Sequence, residues 1–220
     1  MAMKKIQLAT RAEARAILGR DFHGPEEVNL AFGCNLTEDG SWFVPYTVEI
    51  LEKTKSKYIL FTGCDEDKNK EKMTISWFHK KFPEGTKPGF TPQFGEPLNN
   101  YPFWKKRTCQ RQKYYLLPKK IPLDHPSRNK GPVKFKLAKT QNHEKIEPAI
   151  VYVFGIFLHY LCTKEIMYPY DYVLTTNKVG EHFVRVGHFK YKDVYVGLAQ
   201  PGWIYNMLGV APSIKPLLME

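Results

Sequence analysis

The apolar positions change period along this chain, and the changes mark its elements. From Thr10 to Gly33 they recur at helical spacing. Thr10 and Glu13 form a capping-box pair, each side chain serving the other's free backbone N–H. Gly19 fits the left-handed residue that ends such a helix. Pro25 opens a second helix, where its missing N–H costs nothing, and Gly33 closes it. Glu26 and Glu27 sit in its first turn, which the helix dipole favours. The two helices suggest a helix-turn-helix, but two glutamates at the head of the second would face phosphates, which counts against groove reading. Pro45 opens a third helical stretch through Lys53, and Tyr58–Thr62 is a compact apolar strand ended by Gly63. Ile75, Phe78 and Phe82 predict a short amphipathic helix over 74–82.

From Pro83 to Pro102, five prolines with Gly85, Gly89 and Gly95 exclude a long helix and predict an ordered loop or a linker. Lys113–Leu117 then reads as a strand. Val133–Leu137 alternates apolar with cationic residues, as a half-buried strand with Lys134 and Lys136 on its wet face does. Pro118, Pro122, Pro126, Gly131 and Pro132 force loop between them. Asn142–Cys162 is the strongest helix: Ile146, Ala149, Ile150, Val153, Phe157, Leu158 and Leu161 cover most of its circumference, as in a central core helix. Pro148 is tolerated there only in the first turn. The period then becomes two, over 172–176, 183–186 and 194–196, which predicts an antiparallel meander. The expected class is α+β: short N-terminal helices, a Pro-rich basic middle with strands, one long core helix and a C-terminal β meander. The patterning separates 1–82, 83–139 and 140–220, three regions that can also fold as a single domain.

Charge changes this picture in one place. The chain of 220 residues has a formal charge of +11, and the segment 103–139 holds 12 Lys or Arg against one acid, Asp124, so it carries the whole excess. Such a balance points to an anionic partner: nucleic acid, an anionic membrane surface or an acidic protein. The candidate contacts are Trp104, Lys105, Lys106, Arg107, Arg111, Lys113, Tyr114, Lys119, Lys120, Arg128 and Lys130. The cations would neutralise phosphates, while Trp104, Tyr114, Tyr115 and Phe135 would stack on unpaired bases. The expected function is a non-enzymatic binding protein for nucleic acid. Two alternatives stay open. One is a protein- or ligand-binding module displayed on the β tail, with Trp203 and Tyr205 on its surface. The other is a metal-dependent nuclease, because Glu66-x-Lys68 in the acidic turn 65–68 has the spacing of a metal-binding carboxylate and a water-activating lysine.

The remaining motifs carry less. Cys34, Cys64, Cys109 and Cys162 lack the short spacing of a zinc knuckle or redox dithiol and read as free thiols in a reducing cytoplasm. His159 precedes Cys162 by one helical turn without a second ligand pair nearby, so a core histidine and a buried thiol are expected. His182 and His188 share a strand face, and Asp124-His125 lies in the basic loop; neither brings a third partner. No cofactor and no resident metal are expected. The run from Pro148 to Cys162 is 15 residues long, short of the roughly 20 a bilayer needs, and the N-terminus lacks the apolar core of a signal peptide.

Several short blocks are shared with a known family. Glu13-Ala-Arg-x-Ile-Leu-Gly19, Phe22-x-Gly-Pro-Glu-Glu27, Val151-Tyr152, His159-Tyr-Leu161, Val184-Arg-Val-Gly187 with Phe189, and Leu208-Gly-Val-Ala211 occur in an order that resembles a family of uncharacterised proteins of bacteria and phages. The resemblance implies a shared fold of N-terminal helices, middle sheet, core helix and β tail, and it implies no activity. Tails of that family are acidic and rich in Asp and Gly, whereas this one carries Lys178, Arg185, Lys190 and Lys192. More distantly, the tail is similar to the variable ligand-binding ends of C-type-lectin-like proteins.

Overall fold

The computed structural model describes residues 7–37, 43–92, 100–121, 144–200 and 207–217. Among them the fold is α+β, with six α-helices and two mixed five-stranded sheets. The N-terminal helices form for the reasons their sequences give. Helix α1 (Arg11–Leu18) starts at Thr10, whose hydroxyl accepts from Glu13 N at 3.1 Å while Glu13 accepts from Thr10 N at 2.7 Å. Helix α2 (Pro25–Phe32) has proline in its first turn and ends at Gly33, which is left-handed at φ 69°. Glu27 caps the Gly24 N–H at 2.7 Å, and Arg15 of α1 reaches across to both Glu26 and Glu27. The two glutamates that argued against groove reading are thus occupied in joining α1 to α2.

Helix α3 (Val48–Thr54) begins later than the position of Pro45 suggested, because the Thr47 hydroxyl supplies the cap. Helix α4 (Ile75–Lys81) is capped by Thr74 in the same way. Strands β1 (Phe22–His23) and β2 (Tyr58–Thr62) run parallel, and β2 pairs antiparallel with β4 (Tyr114–Pro118). The first sheet is completed by β10 (Ser213–Ile214) and β5 (Glu144–Lys145), in the order β1-β2-β4-β10-β5. Both faces of this sheet are covered. Ile59, Phe61, Tyr115 and Leu117 belong to the main core, whereas Leu60, Tyr114 and Leu116 pack with Ala14, Leu18 and Leu51 under α1 and α3. A strand buried on both sides reads as a continuous apolar run, which is why Tyr58–Thr62 shows no alternation.

The second sheet holds the expected meander, β6 (Tyr172–Val179), β7 (His182–Gly187) and β8 (Asp193–Ala199), antiparallel throughout. It is extended by β3 (Gly89–Pro92), parallel to β8, and by β9 (Leu208–Gly209), parallel to β6. The loop expected over 83–102 is therefore corrected in part. Its prolines leave room for one short edge strand, which buries Phe90.

Helix α6 (Ala149–Thr163) is the core helix. It starts later than Asn142: Pro148 is its N-cap, and Glu144–Lys145 is strand. Every residue from Ala149 to Tyr160 is buried. Elements of both sheets pack on it, together with α2 and α4. Phe154 meets Phe32, Phe61 and Phe78, and Phe157 meets Phe78, Phe82, Phe90 and Phe189. Gly155 sets the approach to the first sheet. A Cβ there would stand 3.1 Å from Phe61 Cε1 and 3.2 Å from Leu117 Cδ1, tighter than ordinary packing. The main core takes residues from Val28 to Ala211. No helix among the described residues is long and apolar enough to cross a membrane.

This packing makes a quantitative prediction. Phe154→Ala should lower the unfolding free energy by about 3–5 kcal/mol through the cavity it leaves. Gly155→Leu should lower it by about 1–3 kcal/mol through overpacking against Phe61 and Leu117. Denaturant unfolding followed by circular dichroism measures both, and changes well below these values would mean that α6 is not the centre of the core.

Candidate anion-binding cleft

The basic segment divides once it folds. Helix α5 (Pro102–Lys105) is a single turn that starts on Pro102 and sends two of its residues inward. Trp104 is 2% exposed, against Phe90 and His79. Tyr114 is buried in the cluster under α1, and Tyr115 stacks on Phe61. The expectation that Trp104, Tyr114 and Tyr115 stack on bases is corrected: apolar residues flanking cations here are core anchors. Lys119 is also withdrawn from the surface. Its ammonium contacts Asp21 at 3.0 Å and Glu165 at 3.1 Å. Arg111 donates to the Asn35 carbonyl at 2.7 Å and lies 3.5 Å from Asp65.

Lys105, Lys106, Arg107 and Lys120 remain exposed, and none makes an ion pair among the described residues. Arg128, Lys130, the strand expected over 133–137, Phe135, Asp124-His125, Trp203 and Tyr205 lie outside the described residues. The acidic turn 65–68 is an ion-paired loop. Lys72 bridges Asp65 and Glu66 at 3.1 and 3.2 Å, and Asp67 accepts from Asn69 N, Glu71 N and Trp77 Nε1. Cys34, Cys64 and Cys109 are buried and Cys162 is exposed, all as free thiols.

Arg107 and Lys113 meet at a cleft of about 420 Å³, within the usual range of small-ligand sites. Thr108, Gln110, Tyr115, Lys145, Ile146, Glu147, Pro148, Val151 and Thr176 complete its lining. Four elements bring these together. Gly63 allows the chain at 110–113 to close on β2, since a Cβ there would fall 2.4 Å from the Gln110 carbonyl oxygen. Backbone bonds from Gly63 N to Lys113 O at 2.7 Å and from Gln112 N to Gly63 O at 2.9 Å then fix the turn. Strand β5 presents Lys145 from the sheet edge, held by its register with Ser213. The start of α6 supplies Pro148 and Val151, and a register shift in β6 near Thr176 brings its N–H to the Glu147 carbonyl at 3.2 Å.

The cleft is cationic. Lys113 donates to Gln110 Oε1 at 2.9 Å, and its ammonium lies 5.4 Å over the Tyr115 ring. Burial, and next the charge of Lys145, hold its pKa below the ordinary 10.5. Lys145 pairs with Glu147 at 3.0 Å. Glu147 is 3% exposed and also accepts from the Ser213 hydroxyl at 2.8 Å. One buried acid therefore faces three cations, and the positive end of the α6 dipole adds to them. Two lysines whose charges oppose each other across a wet cleft are relieved by an anion between them.

Only Arg107, Lys113 and Tyr115 of this lining were marked by the charge run. Lys145, Glu147 and Thr176 come from segments whose patterns speak of strand and helix, and nothing in their local sequence announces a site. Comparison with protein-family models, with curated proteins and with solved structures returns no match.

Burial and the charge of Lys145 lower the pKa of Lys113, so it gives up its proton more readily than an ordinary lysine as pH rises. At mildly alkaline pH it should be acylated by an acid anhydride faster than exposed Lys105 and Lys106. Inorganic phosphate should slow that reaction by restoring the charged form. Peptide mapping by mass spectrometry reads the order, and slower labelling of Lys113 than of Lys105 without phosphate would contradict this electrostatic reading.

Proposed function

We propose that this protein is a non-enzymatic binding protein for an anionic partner, a nucleic acid, engaged through the cleft of Arg107, Lys113 and Lys145 and the exposed Lys105 and Lys106 that precede Arg107 in the chain. The observation that carries this reading is the gathering of cations from two separate segments, the stretch 107–113 and strand β5, around one open cleft, with a single buried acid among them. With Trp104 and Tyr114 in the core, recognition rests on phosphate neutralisation rather than on base stacking, so it is sequence-tolerant.

A second reading keeps the β tail as a ligand- or protein-binding surface. Tyr170 and Tyr191 are exposed, and the Lys190 ammonium lies 5.2 Å from each ring. Such an amphipathic patch suits a protein partner better than a polyanion.

Fluorescence anisotropy with a single-stranded oligonucleotide tests the first reading. Binding should weaken steeply with salt, and Lys105→Ala, Lys106→Ala and Arg107→Ala together should weaken it at least about tenfold. Each lost phosphate contact should lower the slope of log affinity against log salt by about 0.7. Retention no stronger than that of a neutral control protein at low salt would remove the proposal.

A further inference from the structure

Lys119, drawn out of the basic surface, ends in a second polar cluster away from the cleft. Asp21 lies in the 3-10 turn just before β1, Lys119 directly follows β4, and His159 and Glu165 come from the last turn of α6 and just beyond it. The Tyr168 hydroxyl donates to the Pro118 carbonyl, and Tyr168 N donates to the Lys119 carbonyl at 3.3 Å, so the lysine backbone is held on two sides. We infer that Asp21, His159 and Glu165 form a binding site for a divalent first-row transition ion, and that the Lys119 ammonium holds the two carboxylates when no metal is bound.

Three observations carry the inference. The first is spacing. One ligand atom from each residue lies within 4.8 Å of the others. His159 Nε2 is 3.5 Å from Glu165 Oε2 and 3.9 Å from Asp21 Oδ1. Metal–ligand bonds of about 2.0–2.2 Å place neighbouring ligands on a tetrahedral ion roughly 3.3–3.6 Å apart, so small side-chain rotations close the set. The second is an unmet need. His159 is 0% exposed, and its Nε2 has no hydrogen bond of good geometry, its nearest acceptor, Glu165 Oε2, lying 3.5 Å away. A buried ring nitrogen left so is costly, and this one faces both carboxylates. The third is the outer support. His159 Nδ1 lies 3.0 Å from Nε2 of buried His23. When Nδ1–H donates to His23, the lone pair of His159 sits on Nε2, aimed at the carboxylates. A second group that fixes the tautomer of a ligating histidine is the usual companion of a metal site.

The donor set names the class of ion. Two carboxylate oxygens and one imidazole nitrogen, without sulfur, suit zinc, manganese or cobalt rather than copper(I), and the imidazole disfavours magnesium. His159 is buried as expected, whereas the expectation of a buried thiol one turn later is corrected: Cys162 is exposed and adds no sulfur ligand here. Glu165 is 30% exposed on its side chain and pairs with the exposed Arg20, which makes this edge the route from solvent. An ammonium and a dication cannot share Asp21 and Glu165 without strong repulsion, so metal and Lys119 compete for one place. Lys119 then sets the affinity without being a ligand.

The full chain carrying Cys34→Ser and Cys64→Ser, which removes two buried thiols from competition, should bind one zinc after dialysis, measured by mass spectrometric metal analysis. Cobalt should give visible d–d bands that zinc abolishes. Glu165→Gln should weaken zinc binding at least about tenfold, and Lys119→Met should strengthen it and gain more thermal stability from zinc than the parent does. If Lys119→Met fails to fold without metal, recovery of its folded circular dichroism spectrum on adding zinc supports the site, and no recovery overturns it. Absence of stoichiometric binding in the parent, binding confined to Lys119→Met, or equal affinity in Glu165→Gln would each overturn the inference.

Discussion

The structure depends on burying one helix that is apolar all round. Helix α6 cannot face water on any side from Ala149 to Tyr160, so the chain must surround it. The first sheet offers Phe61 and Leu117, close enough that position 155 has to be glycine-sized. The second sheet contributes Val184, Val186, Val194 and Val196, and α2 and α4 bring Phe32 and Phe78. Aromatic rings fill most of the space around Phe154 and Phe157, with edge-to-face and stacked contacts that fix their neighbours' positions.

Both polar sites follow from where that helix begins and ends. Its N-terminus stops at Pro148, beside the sheet edge that presents Lys145 and the turn that presents Lys113. Its C-terminal turn holds His159 against Asp21, and the chain then leaves through Lys164, left-handed at φ 62°, into Glu165. Apolar packing forces polar side chains to the two ends, where each must find a partner or a ligand. At the N-terminal end three cations surround one buried acid in an open cleft. At the C-terminal end Asp21 and His159 are buried, and Arg20 with Lys119 holds the Glu165 carboxyl, despite its partial burial, down to about 2.

Local rules read much of this fold correctly. The capping box at Thr10, the proline at position 25, Gly33, the β2 strand and the meander all follow from interactions within a few residues, and they stand where their patterns place them. What was not legible depends on distant partners. Phe90 becomes part of a strand only because β8 lies alongside it. Trp104 reads as an exposed aromatic among cations, yet its ring is needed in the core. Lys119 reads as one more surface charge, yet Asp21 and Glu165 draw it inward from positions 98 residues away in one case and on another element in the other. His159 was visible as an odd histidine on an apolar helix, but its partners follow from tertiary structure alone.

On the function proposed above, an anionic partner would meet the N-terminal end of α6 together with the turn at 107–113 and strand β5. Backbone and side-chain NMR shifts during titration with a short single-stranded oligonucleotide test it most directly. Saturable changes centred on Arg107, Lys113, Lys145 and Val151, diminished by added salt, are the expected result. Changes confined to Tyr170 and Tyr191, or none at any residue, would contradict it.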